Sequence, residues 1–431
     1  MRSTHPAALR HTGVLLASLA LAQMLIGIDY NIVFVALPQI QQLGFSDAAL
    51  QWVISSYAIG FGGFLLLGGR LVDYLGRCRM FLVGAALYAV GSVIGGLAAN
   101  ETLLIAGRAI QGLGGATLAP ATLALIGATF AEGRERNRAL GIWGAAGSAG
   151  MVLGSILGGV LTEVWGWRAV FLINLPLAAV VIGLALRSVP RDPAPSRQRL
   201  DLPGAVLTTA SAVLAVLGLT LAAQDGWASA ATIGTLAAFV LAVIVLLLVE
   251  RRTAHPIFDL RRFTEPFLAT GTASTFLFMA GFGASAYFLT LYLQNVRGLS
   301  AMQTGLAFVV PCVAVLIGTQ LGGRLATGSL RRAMLVGQVV GLAGTLALAL
   351  LLSGAIDWLT LLALAFVFSL GQGITFTAMF ATASTGAADD EQGTVGGIAT
   401  TGQQLGGAIG LAVLVSLTAS TPHPEIGRAH V

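Results

Sequence analysis

Stretches in which polar residues all but vanish recur along the chain, and each is about as long as one helix needs to cross a bilayer. Thirteen can be drawn, over residues 13–37, 50–70, 80–99, 102–126, 138–162, 167–187, 202–223, 230–249, 266–293, 303–323, 333–354, 357–381 and 394–418. Crossing takes about 20 predominantly apolar residues, and every stretch reaches that length. The first, with Arg2 and Arg10 ahead of it, has the outline of a secretory signal. It runs on through Asp29 to Pro38 without a small-residue cleavage pattern, so it reads as a spanning helix.

The polar breaks divide this pattern. One long break, Ser188–Leu202 (SVPRDPAPSRQRLDL), has the prolines and arginines of an exposed linker. A second, Glu250–Glu265, follows two further spans. The division is therefore an N-terminal six-helix bundle (1–199), a two-helix insertion (200–250) and a C-terminal bundle (251–424). An internal repeat supports two related halves. Gly44-Phe45-Ser46 matches Gly298-Leu299-Ser300, and Gly68-Gly69-Arg70-Leu71 matches Gly322-Gly323-Arg324-Leu325, both offset by 254 residues. The matched segments share orientation, as parallel halves related by an axis along the membrane normal would. The expected class is all-α integral membrane, with thirteen helices present and the second bundle one short. Residues 425–431 (EIGRAHV) resemble a sequencing-adapter stretch translated in frame, which predicts a missing fourteenth helix; a short genuine tail is the alternative.

Composition sharpens the class and narrows the chemistry. Of 431 residues, 56% are hydrophobic and 10% charged, where soluble domains carry about 25% charged. All 23 basic residues are arginine. Without lysine there is no phosphate-binding P-loop, hence no ATP hydrolysis by that route, and no Schiff base. The histidines fall at termini and loops, which argues against haem or zinc within the membrane, and Cys78 and Cys312 suggest neither a disulfide nor a cluster. The 56 glycines most simply let helices approach closely and mark no dinucleotide site. No cofactor, no metal and no nucleic-acid partner is expected. Short cytoplasmic loops collect positive charge. With the N-terminus placed inside, 19 of the 23 arginines fall in inner segments, Arg168, Arg297 and Arg428 in outer ones, and Arg108 in the membrane.

Several segments then carry a family resemblance. Gly69-Arg70-Leu71-Val72-Asp73-Tyr74-Leu75-Gly76-Arg77-Cys78-Arg79 resembles the loop between helices two and three of the major facilitator superfamily, with Cys78 in place of a usual basic residue. A glycine turn with Asp73 and arginines able to pair with each other and with helix ends suits a conformational latch of Gly69, Asp73, Gly76, Arg77 and Arg79; plain positive-inside charge is the bland alternative. Residues 147–159 (GSAGMVLGSILGG), with Gly150, Gly154, Gly158 and Gly159, resemble the glycine-rich fifth-helix motif of the antiporters, with Ser155 at its usual proline. Trp165–Pro176 (WGWRAVFLINLP), Tyr287–Pro311 and Gly393–Gly410 look like the drug:proton antiporters with fourteen helices. The resemblance covers the chain to about residue 420 and implies a major facilitator fold that exports small molecules against protons.

Asp29 is the one acidic residue well inside an apolar span, in IDYNIVFVALP, which resembles the antiporters' first helix with Asn31 and Phe34 departing from it. An ionised residue at mid-helix costs about 2.5–3.5 kcal/mol by insertion scales. Desolvation penalises its charge and favours proton uptake, so Asp29 is the candidate proton-binding residue; hydration near the headgroups is the alternative. Arg108, the buried cation of the fourth helix, is placed to pair with Asp29 or with backbone groups, or simply to anchor its helix. Asn31, Gln111, Gln372 and Gln403 (with Gln404) are cavity candidates, although amides between helices often only glue them together. The reading is proton-coupled export of small apolar or weakly cationic molecules by a monomer with an inside N-terminus. Export of a host-made metabolite or antibiotic is the runner-up within transport. A membrane-embedded enzyme would need clustered Asp, His or Lys at a membrane face, and only isolated ones occur. A drug sensor would need an appended signalling domain.

Overall fold

In the computed structural model, which describes residues 6–42, 44–131, 134–189, 202–250, 266–283, 285–351, 357–386 and 392–419, every predicted span is helical over most of its described length. In order these are α1 (Pro6–Gln41), α2 (Asp47–Leu75), α3 (Arg77–Gly96), α4 (Glu101–Thr129), α5 (Arg134–Trp165), α6 (Arg168–Leu172), α7 (Asn174–Ser188), α8 (Leu202–Asp225) and α9 (Ala230–Glu250). There follow α10 (Pro266–Phe282), α11 (Ser285–Leu291) with a π-helical turn (Tyr292–Val296), α12 (Ala301–Gly328), α13 (Leu330–Leu351), α14 (Trp358–Ala383) and α15 (Gln392–Ala419). The boundaries drawn at 199/200 and 250/251 fall in or beside 190–201 and 251–265, and 425–431 follows 419; all three lie outside the described residues.

Two spans are interrupted. Pro176 has no N–H to return to Leu172 and its ring crowds that carbonyl, so the sixth span breaks at Ile173 into α6 and α7. The ninth breaks after α10 and ends in the π turn, where Gln294 donates to the Val35 carbonyl of α1 at 3.0 Å.

The repeat in the sequence is a repeat of packing. Ser46 caps α2 and Ser300 caps α12, each hydroxyl accepting from the backbone N–H three residues on. Gly44 and Gly298, just ahead of them, take φ of +87° and +65°, open to glycine at little cost. Gly68 lies on the Ala116 backbone of α4, and Gly322 lies on the Ile374 backbone of α14. The helix pairs α1–α5, α2–α4 and α3–α4 of the first bundle thus recur as α10–α15, α12–α14 and α13–α14 in the second.

The bundles meet unevenly. Call the end bearing Gln41, Trp165 and Ser300 the Trp165 face, and the end bearing the α2–α3 turn the Gly76 face. Towards the Trp165 face a single apolar core joins Ile32, Leu37 and Phe171 of the first bundle to Tyr287 and Leu411 of the second. Towards the Gly76 face the cores separate: Leu19, Phe81, Tyr88 and Ile126 belong to the first bundle alone, and Leu268, Val395 and Ile398 to the second. Inter-bundle hydrogen bonds follow the same division. Glu163, at the end of α5, accepts from Ser300 Oγ at 2.7 Å and from the Met302 backbone at 3.0 Å, capping the start of α12. The molecule is closed at the Trp165 face.

The insertion fills a flank. Helix α8 packs on both α2 and α15, and Thr209 donates to the Gly63 carbonyl of α2 at 2.8 Å. Helix α9 leans on α8, and its long apolar residues, Val240, Leu241, Ile244 and Leu248, stay exposed.

Candidate functional site

The site is built around Asp29, which is 0% exposed and lies where α1, α4 and α7 converge. The glycine ladder of α5 makes this approach possible. Gly150, Gly154 and Gly158 rest on the backbone of Met24, Ile28 and Ile32 in turn, so α1 and α5 touch main chain to main chain on both sides of Asp29. Gly159 turns the other way, its Cβ position 2.8 Å from Met302 Cα of the second bundle. Alanine at Gly154 would drive its methyl into the Ile28 carbonyl, leaving backbone displacement as the only relief.

Three donors converge on the carboxylate. Arg108 Nη1 reaches Oδ2 at 2.5 Å, Asn174 Nδ2 reaches Oδ1 at 2.8 Å, and Gln111 Nε2 reaches Oδ1 at 3.2 Å. Arg108 is itself held on three sides. Its Nε donates to the Val53 carbonyl at 3.1 Å, its Nη1 to Gln111 Oε1 at 3.0 Å, and its guanidinium lies 4.3 Å from the centre of the Tyr57 ring. Gln111 passes the network on to Ser92 Oγ at 2.8 Å, and Ser92 donates to the Tyr88 carbonyl. A buried charge is tolerable only when paired and hydrogen-bonded, and this one is paired with the cation of the fourth helix.

Between the bundles lies a central cavity. Tyr30, Phe34, Ser55, Tyr57 and Arg108 line it from the first bundle, and Met279, Gly283, Gly407 and Leu411 from the second. One wall is thus mixed polar and aromatic, the other apolar. Ser55 Oγ is buried with no partner among the described residues. Asp29 is not on these walls; Arg108 stands between it and the cavity.

The other sequence candidates are placed as follows. None of the four amides is among the residues lining this cavity. Gln111 serves the carboxylate, Gln372 is half-buried against Gly341, and Gln403 is half-buried on α15; the side chain of Gln404 lies outside what is described. Asn31 joins the bundles instead, donating to the Met151 carbonyl at 3.0 Å and to Ser155 Oγ at 3.2 Å, with Cys312 Sγ of α12 at 3.6 Å. At the latch, Gly76 with φ +106° makes the α2–α3 turn, Gly69 meets Pro120, and Arg77 and Arg79 are exposed. The side chain of Asp73 lies outside the described residues. Sequence reasoning missed Asn174, Tyr57 and Ser92 as members of the site. The signal for Asn174 was there, in a polar residue beside the Pro176 break.

Comparison with known proteins agrees with this architecture. The family model of the Major Facilitator Superfamily matches residues 19–206 and 202–411. The cephamycin export protein CmcT of Amycolatopsis lactamdurans is 39% identical over 408 residues, 93% of this chain and 83% of its own. The puromycin resistance protein pur8 of Streptomyces alboniger is 36% identical over 404 residues, 91% of this chain and 79% of its own. Among solved structures, a bacterial homologue of the human lysosomal transporter Spinster, inward-facing and unoccupied, superposes with a TM-score of 0.68 at 18% identity, covering 95% of this chain and 82% of that one.

Proposed function

This chain belongs to the major facilitator superfamily, and from that premise we propose that it exports small, largely apolar molecules, drugs among them, in exchange for protons. It is a multi-pass transporter of the bacterial inner membrane with a small-molecule substrate. The observation that carries the reading is the buried Asp29–Arg108 pair set directly behind a central cavity. With Asp29 ionised the pair is neutral, and the cavity accepts a neutral or weakly cationic molecule against Met279, Phe34 and Leu411. With Asp29 protonated, Arg108 faces the cavity as an uncompensated cation. Two like charges about 8 Å apart repel by about 2 kcal/mol at an effective dielectric of about 20, enough to weaken a cationic substrate about thirtyfold. Proton and a cationic substrate then exclude each other through Arg108, without the substrate ever touching Asp29.

The driving force suffices. One charge moved across 100 mV releases about 2.3 kcal/mol and one pH unit adds about 1.4 kcal/mol, so one proton driven by both sustains a gradient of about 400-fold for a neutral substrate. The Gly76 face is read as cytoplasmic because arginines gather there, which makes the arrangement described inward-facing. The segment from Gly69 to Arg79 is read as the latch of the opposite, outward-facing state. Both walls of the cavity come from one chain, which supports action as a monomer.

Export of a host-made antibiotic is the second reading, favoured by a 39% identical relative named for cephamycin export. Both are tested by expressing the protein in a pump-deficient host and measuring susceptibility to a chemically varied drug panel. Broad protection of apolar and weakly cationic drugs is expected; protection confined to one host-made compound selects the second reading, and none at all sinks both. For orientation, cysteines placed within 131–137 and 188–200 should label only from the cytoplasm, and those within 39–48 from outside. Labelling of 188–200 in intact cells would reverse the topology.

A further inference from the structure

Asn174 Oδ1 is the odd atom of the site. Asn174 is 0% exposed, its Nδ2 donates to Asp29 Oδ1 at 2.8 Å, and its Oδ1 has no hydrogen-bond partner among the described residues. An unpaired buried acceptor is costly and needs an explanation. The orientation of the amide is forced, since an ionised carboxylate only accepts and must be met by N–H.

The explanation comes from asking where a proton can land on Asp29. Oδ2 faces Arg108 Nη1, and a guanidinium has no acceptor to offer an O–H. A proton there would have to expel Arg108 from its bonds to Val53 and Gln111. Oδ1 faces two amides, and an amide can exchange N–H for C=O by a half-turn about a soft, two-fold torsion. Gln111 is not free to turn, because its Oε1 accepts from Arg108 and its Nε2 also serves Ser92. Asn174 has only its bond to Asp29 to give up.

We infer that the proton carried by Asp29 binds at Oδ1 and is received by a half-turn of the Asn174 side chain. The proton forms the O–H bond at Oδ1, the N–H bond from Asn174 is released, and Asn174 Oδ1 accepts the new O–H. Oδ2 keeps its bond to Arg108 throughout. Asn174 is thus a positioning residue that supports both protonation states. The other titratable groups facing this point are Arg108 of α4, Tyr57 of α2 and Tyr88 of α3; the described charged residues of α5 and α7, Glu135, Arg138, Glu163 and Arg187, stand at helix ends.

The inference rests on the reading of Asp29 as the proton site, and the test separates the two. The full chain in lipid is taken from alkaline to acid pH and followed by infrared difference spectroscopy, with asparagine isotope-labelled at its side-chain carbonyl. Expected is a carboxylic C=O band that Asp29→Asn removes, accompanied by a labelled-amide band that Asn174→Leu removes. If no carboxylic band depends on Asp29, the proton reading itself fails. A carboxylic band that appears without the amide band, or with a guanidinium shift in its place, overturns only the role of Asn174. In energised vesicles, Asn174→Leu should lose about tenfold in uphill transport, and Asn174→Gln, which keeps an amide able to donate or to accept, should stay within about threefold of the parent. Equal loss in both variants overturns the inference.

Discussion

Replacing Asp29 by asparagine is expected to abolish accumulation of substrate against its gradient while leaving a folded protein that still exchanges substrate downhill. The change keeps the side chain's size, and its carbonyl can still accept from Arg108 where Oδ2 does now. Titration is lost. Without it the gradient sustained should fall from about 400-fold to none, since no second acid is described within the apolar spans away from helix ends. Arg108 would stand permanently uncompensated towards the cavity, so cationic substrates should also bind more weakly than neutral ones. Asp29→Glu should keep partial activity with a displaced pH optimum, because the charge remains but moves by one methylene. The measurement is efflux in energised vesicles with pH-gradient dissipation followed alongside. Uphill transport by Asp29→Asn at the parent's rate would place the proton elsewhere and remove the basis of the antiport mechanism.

The second large effect is on stability. Arg108→Met should leave a carboxylate buried at 0% exposure with only the two amide donors, Gln111 and Asn174. Breaking one side of a buried pair costs about 3–5 kcal/mol, so the purified variant should melt well below the parent. The double change Asp29→Asn with Arg108→Met removes both charges and should recover most of that loss, although uphill transport stays absent. Thermal melts of the four proteins in detergent decide the matter. An Arg108→Met protein as stable as the parent would mean that the pair links α1 and α4 in appearance only.

Much of the architecture was legible in the sequence because the bilayer imposes it. A helix in lipid must satisfy its own backbone, so an apolar stretch of span length becomes a helix whatever its neighbours do. The glycine repeat was readable for a related reason: Gly68 and Gly322 sit where backbone meets backbone, and no other residue fits there. Asp29 and Arg108 stood out by cost, and the structure brings them together. What could not be read was which way a helix apolar all round is turned, since no polar stripe marks its inward side. That is why Gln111, grouped with the cavity candidates, points at Asp29, and why Asn31 joins α1 to α5 and α12. Tyr57 meets the site from α2 with nothing local to mark it, and Asn174, although a polar residue beside the Pro176 break, carries no sign that its partner lies 145 residues away.

Helix α9, with 21 residues, is about 31 Å long at 1.5 Å per residue, close to the hydrocarbon thickness of about 30 Å. Among the described residues its one substantial neighbour is α8, and its exposed apolar side chains suit lipid acyl chains. Its tilt is set by packing on α8, with bilayer thickness acting on it at fractions of a kcal/mol per Å of mismatch. Through α8, which touches α2 and α15, that tilt reaches the seam between the bundles. Delipidation should therefore disturb this hairpin before either bundle, and membranes of different thickness are a physical variable for transport that the cavity itself does not contain.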